Sequence, residues 1–107
     1  MAKKNLYTTT GEPKRIRCYM QKVKKSVDYI TIVFTYAHYA GYPIGTVLYR
    51  AMNDLPFHPA YGFAQWGEGN QCSFRPGGSR VAFVDLPNDC KELIMRDYKD
   101  LWENGDE

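Results

Sequence analysis

The sequence predicts an α+β fold: a small, mainly antiparallel sheet of about four strands packed by one C-terminal helix, with a long aromatic loop rich in Gly and Pro. Four observations carry that expectation. Apolar and polar residues alternate from Arg15 to Lys22, and the run Tyr29 to Tyr36 is β-branched and aromatic throughout. Beyond Leu86 the apolar spacing becomes that of a helix. Between these regions, residues 53–80 hold Phe57, Tyr61, Phe63, Trp66 and Phe74 among glycines and prolines.

Residues 1–13 are polar, end in Gly11-Glu12-Pro13 and have no periodicity, so a mobile N-terminal arm is expected ahead of a single domain over 14–107. In the first strand, over 15–22, Ile16, Cys18 and Met20 fall on one side and Arg15, Arg17, Tyr19 and Gln21 on the other. A polar turn through Lys24, Lys25 and Ser26 pairs it as a hairpin with 29–36. The Tyr-rich connection Ala37 to Gly45 leads into a third strand over 46–51, and the Gly77-Gly78 turn into a fourth over 81–84. Pro87 suits a first helical turn, and Asp89 and Glu92 have the spacing of a capping box. Cys90, Leu93, Ile94, Tyr98 and Leu101, with Trp102 at the far end, form one apolar stripe on a helix expected over about 87–103. Ile30, Ile32, Phe34, Leu93 and Ile94 are the expected core.

A chain of 107 residues fits one domain. Its 44% apolar, 15% aromatic and 24% charged residues exclude disordered, collagenous and disulfide-scaffold classes. The nine tyrosines are the compositional oddity, since amphipathic rings suit half-buried sheet faces and binding surfaces alike. The formal charge of +2 hides a gradient. Residues 1–27 hold eight Lys/Arg against Glu12 alone, giving +7; residues 28–82 cancel; residues 83–107 hold three basic and eight acidic side chains, giving −5. Cys18, Cys72 and Cys90 form neither a CxxC pair nor a disulfide framework, and no apolar run approaches a membrane span of ~18 residues. A cytoplasmic protein with reduced thiols, without metal or cofactor, is the expectation. The oligomeric state is not legible in the sequence.

Two surfaces compete as functional sites. The first is a protein-docking surface in 53–80 made from His58, Tyr61, Phe63 and Trp66 with Phe57, because Trp and Tyr dominate interface energetics. Such a length exceeds the ~4–6 residues a connection needs. Trp66, between Gln65 and Gly67-Glu68-Gly69, is expected near the surface, with Gly67 and Gly69 fixing turns; packing into an incompletely filled core accounts for Phe57 and Phe63. The second is a sequence-tolerant nucleic-acid surface on the outward face of the first hairpin: Arg15, Arg17 and Tyr19, joined by Arg50 and flanked by Tyr29, Thr31, Lys3, Lys4, Lys22, Lys24 and Lys25. Polar residues on an outer strand face and lysines guarding sheet edges are the competing account.

Catalysis has only a weak basis, His58 activating Cys72 or Glu68 acting as a base beside it, and phosphate loops, GxSxG and HExxH are absent. His38, between Ala37 and Tyr39, reads as a turn residue. The expectation is therefore a small non-catalytic binding protein with a protein partner, nucleic acid being the rival; the size is that of small phage and mobile-element proteins.

Overall fold

The computed structural model describes residues 6–23, 28–35, 45–70 and 72–101. Five strands form one antiparallel sheet: β1 (Ile16–Met20), β2 (Ile30–Phe34), β3 (Thr46–Met52), β4 (Ala64–Asn70) and β5 (Ser79–Val81), in the order β4-β3-β2-β1-β5. A 3-10 turn at Phe83–Asp85 leads to α1 (Asn88–Lys99), the one α-helix among the described residues. Among the described residues no helix is long and apolar enough to cross a membrane.

The alternation read in the sequence sets the register. Cys18 stands opposite Ile32 and Ile16 opposite Phe34, so apolar positions of β1 and β2 share the face that α1 covers. Cys90, Leu93, Ile94 and Tyr98 of α1 close over Ile16, Cys18, Ile30, Ile32, Phe34 and Met52 in one core. The five residues expected in the core are all buried there.

Four details differ from the sequence expectation. The fifth strand, β4, lies inside the 53–80 stretch, where Gly67 and Gly69 are strand residues instead of turn residues. A Cβ on Gly67 would meet the Tyr49 ring at 2.2 Å, and one on Gly69 would meet Phe74 at 2.9 Å. The glycines therefore make room for the Tyr49–Phe74 stack, whose centroids are 4.5 Å apart. The last strand ends at Val81, and residues 83–85 turn instead. The helix starts directly after Pro87 with no side-chain cap: the Asp89–Glu92 capping box is not formed, and Glu92 instead approaches Arg96 one turn later at 3.8 Å. Finally, residues 6–13 of the expected arm fold back. Tyr7 bridges Pro13, the Lys14 amide donates to the Leu6 carbonyl, and Leu6 is fully buried in the core. The Tyr98 hydroxyl donates to that same Leu6 carbonyl and accepts from the Arg15 amide, so helix, arm and the residue before β1 meet at the Tyr98 hydroxyl.

Candidate docking edge and basic face

The hydrogen-bond parity of the sheet decides which groups it offers outward. The Thr35 amide bonds the Arg15 carbonyl and the Gln21 amide bonds the Tyr29 carbonyl. Antiparallel ladders alternate bonded and non-bonded pairs, so Arg17 and Tyr19 bond β2 as well. Carrying the alternation across β2 and β3 makes Gln65, Gly67 and Gly69 the β4 residues bonded to β3, in agreement with the Asn53 amide bonding the Phe63 carbonyl just beyond. The backbone N–H and C=O groups of Ala64, Trp66 and Glu68 consequently point away from the sheet. As β4 is an edge strand, no strand among the described residues receives them.

Trp66 stands opposite Arg50, and its side chain lies on the helix-facing side. Its ring packs at 5.4 Å from Phe34 and beneath the Arg50 guanidinium at 4.8 Å, yet the residue stays 42% exposed. Arg50 is held in turn by Asp97 of α1, Nε to Oδ2 at 2.8 Å. Burial pushes the Asp97 carboxyl up from its ordinary value, while the Arg50 charge and hydrogen bond pull it down. The indole is thus fixed from beneath and open outward, as expected of a surface Trp.

The other residues of the expected docking surface line the loop into β4. Asn53, which the sequence reading passed over, organises that loop: its Oδ1 accepts from the Leu55 and Phe63 amides and its Nδ2 donates to the Tyr61 carbonyl at 2.6 Å. His58 Nδ1 accepts from the Ala60 and Tyr61 amides, both at 3.0 Å, and its ring tilts over Tyr61 at 4.8 Å. Tyr61 is 74% exposed, Phe63 is half-buried, and Phe57 lies under the Arg96 guanidinium at 5.3 Å. No ring contact joins Trp66 to His58, Tyr61 or Phe63 among the described residues. His58 makes no hydrogen bond to Cys72 or Glu68; its accepting nitrogen holds a turn, and the Cys72 amide bonds Asn70 Oδ1 in another.

The basic face is rearranged relative to the expectation. Arg50 leaves it, because its partner across the sheet is the core residue Ile32, which sets its side chain on the helix side with Asp97. Arg15 precedes β1 and its backbone is tied to Tyr98 and Thr35. Thr31 is buried, and Tyr29 packs against the core. Arg17 and Tyr19 remain, and pairing of β1 with β5 brings Arg80 opposite Tyr19, its guanidinium 6.0 Å from the ring centroid. Of the other residues singled out in the sequence, Lys3, Lys4, Lys24, Lys25, Ser26, His38 and Trp102 lie outside the described residues. Comparison with protein-family models, curated proteins and solved structures finds no match for the chain.

Proposed function

We propose that this is a non-catalytic binding protein that docks a protein partner by accepting an extended segment of that partner along β4, with Trp66 as anchor. The observation that carries the reading is the coincidence, on one margin, of three outward backbone positions, Ala64, Trp66 and Glu68, with a half-exposed indole. Strand addition draws affinity from main-chain hydrogen bonds and specificity from alternate side chains. A Trp seated on Phe34 and Arg50 is already ordered, so little entropy is lost when a partner covers it. The strand contains no Lys, Arg or Pro, the residues that usually guard an edge. Tyr61 and His58, on the loop entering β4, extend the surface at its N-terminal end.

The test is partner capture from source cells after nuclease treatment, comparing three variants with the wild type. Trp66→Ala weakens the captured contact by about 2 kcal/mol or more, as hot-spot truncations do. Glu68→Pro removes an outward donor without touching the β3 ladder and abolishes capture. Arg80→Glu, on the opposite edge, leaves it unchanged. A partner held equally well by Trp66→Ala and Glu68→Pro contradicts the reading.

A further inference from the structure

We infer that the sheet face away from α1 carries a second, separate binding site, for unpaired single-stranded nucleic acid, built from Arg17, Tyr19 and Arg80. This goes beyond the docking edge: it uses the other end of the sheet and a different class of ligand.

The three side chains come together through register. Arg17 and Tyr19 are two residues apart on β1 and therefore project to the same face, about 7 Å apart along the strand. Cys18 and Met20, whose backbones turn away from β2, bond β5, which makes Tyr19 and Arg80 a non-bonded pair, the closer of the two pair types. Arg80 is delivered there by Gly78, whose φ of +87° and approach to the Met20 carbonyl, 2.4 Å from where a Cβ would sit, no other residue tolerates without displacement. The result is a half-buried ring with one exposed guanidinium beside it along the strand and another across from it.

Neither Arg17 nor Arg80 makes a salt bridge among the described residues, and residues 14–22 and 79–81 contain no Asp or Glu. Two exposed cations with no salt bridge among the described residues, Arg17 from the first 27 residues that carry +7 and Arg80 brought beside Tyr19 by β5, complement an anionic ligand. The ring between them narrows the class. Free phosphate uses only the guanidiniums and an acidic peptide offers Tyr19 nothing to stack, whereas an unpaired nucleotide uses both, phosphate on Arg and base on Tyr. A duplex keeps its bases stacked internally and leaves Tyr19 unused.

The experiment is fluorescence anisotropy of the full chain with labelled oligo-uridine and oligo-thymidine of about a dozen nucleotides, titrated across salt. Both probes bind, with affinity falling steeply as salt rises. Arg17→Glu with Arg80→Glu abolishes binding while the thermal transition stays at the wild-type temperature, both side chains being exposed. Tyr19→Ala weakens binding about tenfold, whereas Tyr19→Phe, which keeps the ring, restores it. An unlabelled duplex of equal length, a poly-glutamate peptide and inorganic phosphate all compete far less well than unlabelled oligo-uridine. Absence of binding at low salt overturns the inference. So does binding unchanged in the double Glu variant or in Tyr19→Ala, or poly-glutamate competing as well as the oligonucleotide.

Discussion

The two edges of this sheet are built differently. On one side β5 has three residues, carries Arg80 and is bounded by the Gly77-Gly78 turn and by the 3-10 turn at Phe83–Asp85. Short length and a basic side chain are among the usual protections of an edge against pairing. On the other side β4 has seven residues, a single charge at Glu68, no basic residue and no proline, and presents Trp66 as its third residue. Both edges rest on one core, so the contrast cannot come from packing beneath them alone. It comes from the length of each strand and what it places on its outer margin, and it is the reason for proposing β4 as the docking edge.

Removing the shared support tests that logic with the largest effect. Ile32 is fully buried between the two halves of the sheet, and Ile32→Ala is expected to destabilise the domain by about 2–5 kcal/mol in urea unfolding, releasing both edges in one transition. A loss under half a kcal/mol would place Ile32 outside the core. A smaller change separates the edges: Gly78→Ala strains a left-handed position against Met20 and is expected to cost about 1–3 kcal/mol, lifting β5 while β4 stays paired. Loss of ladder shifts in β4 as well as β5 would show that the edges are coupled.

The cysteines sharpen the same distinction. Cys18 lies behind the β1–β5 ladder, opposite Val81, and Cys90 donates its thiol to the Asn53 carbonyl at the base of the β4 side, 3.5 Å away. Burial pushes both thiols up to about 12, leaving them protonated and unreactive at neutral pH, while Cys72 is exposed. Native protein is expected to react with Ellman's reagent at Cys72 alone, and Gly78→Ala to add Cys18 before Cys90. Labelling of Cys90 first would reverse the assignment of the weaker edge. The smallest effect on the fold belongs to Trp66→Ala, expected to cost about 1 kcal/mol because the residue is 42% exposed. In a Trp102→Phe background iodide should quench Trp66; a shielded indole with global unfolding of Trp66→Ala would make the ring core.

The sheet-and-helix architecture was legible because its signals are local. Alternation placed Ile16 and Cys18 inward, and the apolar stripe placed Cys90, Leu93, Ile94 and Tyr98 against them. β4 was not legible, since its two glycines imitate a turn; the reason for them is the pair of rings at Tyr49 and Phe74, brought together only when the chain reverses at Asn70. The face that Arg50 occupies is hidden from the sequence for a related reason. β3 carries apolar residues on both sides, Val47 and Ala51 on one and Leu48 and Met52 on the other, so its phase is fixed only by pairing with Ile32. Arg80 was missed because nothing local joins it to Tyr19. The exposure of Trp66 was anticipated, although from the glycines as turn formers, and its seating on Phe34 and Arg50 required the fold.

Amide hydrogen exchange of the free protein, resolved by residue along β4, tests the central claim most directly. If the edge is open, protection alternates: Gln65, Gly67 and Gly69 exchange slowly through their bonds to β3, whereas Ala64, Trp66 and Glu68 exchange as exposed amides. Trp66 and Glu68 amides as slow as that of Gly67 would show the outer margin already paired, and β4 would not be a docking edge.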